Sequence, residues 1–249
     1  MEEEFRLTSV REAGREEIRL VIAGREGYYA LKRGFDVAAA LALLLILSPL
    51  MLLIAASIYA YSPGSVFFRQ ERVGSKRMRI GDRTYWKREH FTCYKFRTMK
   101  LNADSSIHQQ YVKALIENDE KGMADAQGRE TDVRKLVNDP RVIRPGKLLR
   151  KFSLDELPQL LNVLRGDMSL IGPRPSIPYE VQYYKPWHMR RLEAQPGLSG
   201  LQQVKARCIR DFDEQVKLDI EYIECQSLWL DFKIAVQTPL AILFARGAY

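Results

Sequence analysis

The stretch "SLDELPQLLNVLRGDMSLIGPRP", from Ser153 to Pro175, sets Asp155 and Glu156 side by side ahead of a leucine-rich run and closes on Arg174 between two prolines. Neighbouring carboxylates with a conformationally fixed arginine fit phosphate chemistry. A carboxylate can act as a covalent nucleophile or hold a divalent cation, and a guanidinium forks onto phosphate oxygens. Ser153 to Glu156 also satisfies the capping box S-x-x-E, which needs no chemistry. Pro158 fits that box poorly, because it would fall beyond the first-turn amides and delete a hydrogen bond the helix needs. With Asp155 as the N-cap, Pro158 moves into the tolerant first turn and the helix runs through Leu160, Leu161, Val163 and Leu164. Asp155 then lies at a positive helix end, where a carboxylate, Mg2+ and a diphosphate can share one locus. Mg2+ takes only one or two carboxylates beside substrate phosphates, so Asp155 suffices as its protein ligand.

Further cations stand nearby in sequence. Arg150 precedes the pair by five residues, and "HFTCYKFRTM", His90 to Met99, reads as a strand carrying Lys95 and Arg97 on one face through period-two alternation. Each has a plain alternative: a surface charge for Arg150, a solvated strand face for Lys95 and Arg97, a Gly-Pro turn for Arg174.

These residues need a scaffold, and its most prominent element is "VAAALALLLILSPLMLLIAASIYA", Val37 to Ala60. This uncharged run of about 24 residues exceeds the roughly 20 that cross a bilayer as a helix. It is too long for a cleavable signal peptide and follows a stretch rich in Glu and Arg. Ser48 and Pro49 fall almost at its centre, where proline predicts a bend. Spacing alone favours a kinked spanning helix over a re-entrant hairpin. Basic flanks, Lys32 and Arg33 before the run and Arg69, Arg72, Lys76, Arg77 and Arg79 after it, suit two cytoplasmic ends. Either topology leaves the part after Tyr61 in the cytoplasm.

Residues 1–31 alternate Glu and Arg and read as a solvated helix or loose tail. Strand-like stretches lie at Val66 to Phe68 and around His90 to Met99. Residues 102–137 read as a polar insertion with an exposed loop, and turn punctuation follows at Asp139-Pro140 and Pro145-Gly146. The segment "DEQVKLDIEYIECQSLWLDFKIAVQTPLAILF" repeats apolar residues near helical spacing, fitting core helices or amphipathic helices at a bilayer interface.

A formal charge of +8, from 39 Lys and Arg against 31 Asp and Glu, favours an anionic partner. Nucleic acid is not expected, for no nucleic-acid motif occurs. Cys93, Cys208 and Cys225 lie too far apart for a zinc site or a disulfide framework.

In order along the chain stand "KRGFD", the Ser-Pro break, "SPGSVFFRQERVG", "YKFRTM", "DPRV", "LRKFSLDELPQLLNVLRGDMSLIGPRP", "PGLSGLQQV" and "SLWLDFKIAVQT". This set, from Leu31 to about Ala245, resembles the bacterial sugar transferase family, the monotopic polyprenyl-phosphate phosphoglycosyl transferases. The resemblance implies an α+β, mostly helical fold: a polar extension over 1–31, a re-entrant helix-break-helix over 32–61, and a small cytoplasmic α/β catalytic domain over 62–249 with interfacial helices. It implies transfer of sugar 1-phosphate from a UDP-sugar to undecaprenyl phosphate, releasing UMP, with Mg2+ as cofactor and the membrane lipid as surroundings. Asp155 is then the nucleophile and metal ligand, Glu156 its acid/base or positioning partner, and Arg150, Arg174, Lys95 and Arg97 substrate-binding residues. The setting is the cytoplasmic face of the bacterial inner membrane, at the first membrane step of surface glycan synthesis. Self-association into a homo-oligomer stays open. Gln202 and Lys205 to Arg207 depart from the usual family loop and leave sugar preference open. The competing reading is a membrane-anchored scaffold that binds anionic lipid without turnover, for which an adjacent carboxylate pair has no use.

Overall fold

The computed structural model describes residues 18–20, 25–80, 83–101, 106–127, 141–205 and 211–244. A short strand β1 (Ile18–Leu20) precedes the helix α1 (Glu26–Tyr61), and strands β2 (Phe67–Ile80) and β3 (Arg83–Phe96) follow it as one antiparallel hairpin. Then come α2 (Ser106–Ile116), α3 (Glu120–Gln127), α4 (Arg144–Lys151), a 3₁₀ helix (Leu154–Gln159), α5 (Leu160–Arg165) and β4 (Ser169–Ile171). The chain finishes with α6 (Pro178–Val181), a second 3₁₀ helix (Pro186–Leu192), β5 (Gly197–Ser199), α7 (Leu201–Lys205), α8 (Phe212–Cys225) and α9 (Leu228–Phe244). Helix dominates around two small sheets: β1-β3-β2, antiparallel, and β4-β5, parallel.

Helix α1 starts at Glu26, so the end of the expected polar extension belongs to it, and β1 pairs with β3. The tail reading of residues 1–17 and 21–24 lies outside the described residues. The expected interruption at Ser48-Pro49 is not a gap in the helix. Pro49 has no N–H for the Leu45 carbonyl, and the Ser48 hydroxyl donates to that carbonyl instead, at 2.8 Å.

One face of α1 lies along the rest of the protein at both ends. Ala40 packs with Leu160, Val163 and Met168, while Ile54 and Ile58 pack with Phe96, Ile143 and Leu149. Between them Leu45, Ile46, Leu52 and Leu53 are exposed. Cations fasten both ends. Lys32 pairs with Asp231 at 2.8 Å, and Arg33 donates to the carbonyls of Val163 and Leu164, the last turn of α5. At the far end Arg97 donates to the carbonyls of Ser62 and Pro63, where α1 terminates.

The expected polar insertion contributes to the core. Tyr111, Val112 and Ile116 of α2 pack on Phe212, Val216 and Ile220 of α8. Its polar composition reflects the opposite, solvated face; residues 102–105 and 128–137 and the Asp139-Pro140 turn lie outside the described residues. Along α9, Trp229, Phe232, Val236, Leu240 and Leu243 recur at helical spacing and are exposed, with Ile234 fully buried behind them. That is the face expected of an interfacial helix.

Candidate active site

Asp155 and Glu156 lie in the 3₁₀ helix, which corrects both cap readings. Ser153 precedes it with a φ of 53° and no side-chain capping bond, and regular α-helix begins only at Leu160. Pro158 is buried inside the 3₁₀ segment, which ends at Gln159, the cap of α5, so the proline precedes the regular α-helix instead of interrupting it. Asp155 is therefore a residue of the first 3₁₀ turn, not the N-cap of a long helix.

Three supports hold the pair against its cations. The hairpin register sets Gln70 opposite Cys93 and Phe68 opposite Lys95, so Arg72, Cys93 and Lys95 share one face of the sheet. Asn162, fully buried, donates to the Thr92 carbonyl at 2.7 Å and accepts from the Tyr94 N–H at 3.1 Å, tying α5 to that strand. The Gly172 to Pro175 turn is fixed from both sides. The Gly172 N–H donates to Ser199 and the Gly197 N–H to Pro173, while Val73 and Ser176 exchange backbone bonds. A Cβ on Gly172 would lie 2.4 Å from the Gln195 carbonyl oxygen, and one on Gly197 would lie 2.0 Å from the Gly172 nitrogen. Only glycine lets these two strands approach so closely.

The resulting cleft brings together Lys95, Glu156 and Arg174. The Lys95 ammonium is 2.8 Å from Glu156 Oε1, and an Arg174 guanidinium nitrogen is 3.9 Å from the same oxygen. Arg174 remains half exposed, with a fork free to turn toward a ligand. Burial pushes the Asp155 carboxyl above the ordinary carboxylate range and the Glu156 charge adds to this, while Lys95 and Arg150 oppose it. Arg150 lies close enough to act on Asp155 by charge and donates through Nε to Thr98 at 2.9 Å. Arg97 does not join the group. β3 ends at Phe96, the alternation ends with it, and the Arg97 guanidinium turns to the end of α1.

A cation-lined cleft beside a carboxylate pair has the chemistry to take a phosphate group. The bacterial sugar transferase family profile matches residues 27–245. The chain belongs to the bacterial sugar transferase family. It is 38% identical over 218 residues to the exopolysaccharide production protein ExoY of Rhizobium meliloti, covering 88% of both chains. It is 39% identical over 228 residues to the UDP-glucose:undecaprenyl-phosphate glucose-1-phosphate transferase of Caulobacter vibrioides, covering 88% of this chain and 72% of that one. It is 40% identical over 219 residues to the undecaprenyl-phosphate galactose phosphotransferase of Salmonella typhimurium, again 88% of this chain but 42% of the longer relative. This sugar transferase is therefore an enzyme of the transferase class.

Two residues of the cleft escaped sequence reading. Arg72 counted only as a basic flank of the apolar run, yet it is buried and lines the cleft. Gln159 looked like one more polar helix residue and is 3% exposed at the cleft wall. The signal for Gln159 was its spacing of three from Glu156, which eclipses the two side chains in a 3₁₀ helix but not in the α-helix expected there.

Proposed function

We propose that this protein moves sugar 1-phosphate from a UDP-sugar to undecaprenyl phosphate in two steps, with Asp155 as the nucleophile. The observation that carries this reading is the partly buried Asp155 next to Glu156, whose Oε1 is reached by both Lys95 and Arg174 in the adjoining cleft. An Asp155 carboxylate oxygen attacks the β-phosphorus of the donor, the bond to the bridging oxygen breaks, and UMP leaves with that oxygen. An oxygen of the lipid phosphate then attacks the aspartyl phosphosugar, returns the carboxylate and takes the phosphosugar into a diphosphate. Lys95, Arg174 and Arg150 offset the negative charge that would keep a carboxylate away from a diphosphate. Glu156 fits a positioning role, since its Oε1 holds the Lys95 ammonium and draws Arg174 into the cleft.

Among the described residues no group of three or more His, Cys, Asp and Glu could enclose a metal. Mg2+ needs no such cage when phosphate oxygens complete its shell, so Asp155 with Glu156 at hand fits a cation arriving with the donor. When bound, Mg2+ would neutralise phosphate charge and orient the diphosphate.

Both ends of α1 rest on one cytoplasmic body, so a spanning course would drag that body into the bilayer. This supports a re-entrant α1 that enters and leaves the cytoplasmic face of the inner membrane, with the apolar face of α9 on the same surface. Single cysteines placed before Lys32 and after Tyr61 are expected to react with the same membrane-impermeant reagent from the same side. Labelling from opposite sides would restore the spanning helix. The reaction itself is tested by incubating folded protein with Mg2+, undecaprenyl phosphate and a panel of UDP-sugars while following UMP. Release of UMP with at least one donor is expected, and none with any donor would favour the scaffold.

A further inference from the structure

The cleft contains more polar capacity than the carboxylate pair uses. Gln159 is 3% exposed, lines the cleft, and its side-chain amide has no hydrogen-bond partner among the described residues. Gln203, from α7, lines the same cleft, and its Oε1 is buried without a partner. Arg72 donates to the Pro175 carbonyl at 2.9 Å and to Gln70 Oε1 at 2.7 Å, both neutral acceptors, and its Nε is buried unpaired. No carboxylate among the described residues forms an ion pair with it. The charges acting on it are Glu180 and Glu156 from a distance and, unfavourably, Arg174. Leaving one buried polar group unsatisfied costs about 1–3 kcal/mol, and a buried unpaired cation costs more. A fold that concentrates such groups in one cleft is pre-arranged for a ligand that satisfies them.

The chemistry of the set defines that ligand. An amide offers two donors and an acceptor and is neutral, which suits hydroxyl groups; a fixed cation suits a phosphate. Gly197 and Leu198 line the same cleft and supply apolar surface, as a sugar ring face requires. We infer that this cleft holds the sugar end of the donor, with Gln159 and Gln203 bonding sugar hydroxyls and the buried Arg72 charge balancing the phosphate next to the sugar. The inference deepens the proposed transfer and rests on it for the identity of the donor. It makes the two glutamines selectivity residues: a cleft that bonds a hydroxyl discriminates against a donor lacking it, because an amide group in the cleft, the buried Gln203 Oε1 above all, then loses that partner.

The test separates sugar from nucleotide by binding. In an Asp155→Asn background, where no transfer occurs, dissociation constants for UDP-sugar and for UDP are measured by calorimetry with Mg2+, using a donor hydroxylated at every ring position. Gln159→Leu and Gln203→Leu keep approximate shape and remove the amide. Each is expected to weaken UDP-sugar binding about tenfold, the loss of one buried hydrogen bond, and to change UDP binding less than twofold. Arg72→Lys is expected to weaken both ligands, since the phosphate is common to them. Equal losses for UDP and UDP-sugar in the glutamine variants would place the nucleotide in the cleft and overturn the assignment, as would unchanged binding of both. Circular dichroism checks that each variant is folded, and the glutamine pair decides the matter even if Arg72→Lys misfolds. Failure of the wild-type protein to release UMP would remove the transfer reading, whereas unchanged binding in the variants removes only the sugar cleft.

Discussion

Asp155→Asn is expected to abolish UMP release, a loss of at least about 10⁴-fold, and to eliminate the covalent phosphosugar adduct detectable by mass spectrometry on intact protein. An amide of the same shape cannot attack phosphorus, and no neighbour replaces it, since Glu156 Oε1 is engaged by Lys95 at 2.8 Å. Turnover at the wild-type rate would end the nucleophile assignment. As the proposed nucleophile, the same residue is expected to set the acid limb of the rate profile. Attack needs the ionised carboxylate, whose folded pKa is raised chiefly by burial and then by Glu156, so activity rises with pH through a value above the usual carboxylate range. The stability consequence has the opposite sign. A carboxyl that binds its proton more tightly when folded stabilises the fold fully below its unfolded pKa, and that contribution is lost as pH rises through the folded value. At neutral pH the wild-type fold therefore bears a partly buried negative charge that Asp155→Asn removes. The inactive variant should melt higher, by about 2–4 °C for each kcal/mol regained in a domain of this size.

Asp231→Ala is expected to give the largest loss of stability among single polar substitutions. One carboxylate in the first turn of α9 accepts from Tyr28 at 2.9 Å, Lys32 at 2.8 Å and Tyr222 at 2.7 Å. It thereby joins α1, α8 and α9, and both charged partners are buried. Removing one member of such a pair leaves an uncompensated buried charge, at about 3–5 kcal/mol, and here two hydroxyls lose an acceptor as well. The melting temperature in detergent should fall by on the order of 10 °C, with protease cleavage appearing near the start of α1. Asp231→Asn, which keeps an acceptor and loses the charge, should fall between the two. An unchanged melting temperature for the alanine variant would show that apolar packing alone seats α1.

Local chemistry was legible where neighbours in sequence determine it. The apolar run predicted a membrane-active helix, Pro158 told against a simple capping box, and prolines on both sides of Arg174 fixed its backbone before any tertiary contact formed. The apolar spacing of α9 fitted a core helix or an interfacial one, and the exposure of Trp229, Phe232, Val236, Leu240 and Leu243 came only with the fold. Contacts between distant segments were not legible. Lys95 and Arg97 looked equivalent by alternation, but the strand ends between them, so one cation meets Glu156 and the other closes the end of α1. Lys32 and Arg33, read as flanking charge, are spent on Asp231 and on the last turn of α5. The 102–137 stretch looked like a polar insertion by composition, yet the few apolar residues of α2 form one side of a core cluster.

The sequence by itself determined which residue types were present for phosphate chemistry, that a long apolar helix would form, and where backbone freedom was removed by proline. These follow from covalent geometry and periodicity, which act over a few residues. The tertiary structure alone decided which cations reach the carboxylate pair, because that depends on the β2-β3 register and on how closely Gly172 and Gly197 let β4 approach β5. It also decided that Arg72 and Gln159 would be buried beside Glu156 with bonding capacity to spare. A charge on a strand is equally stable facing water or a cleft until the packing of distant elements removes the water.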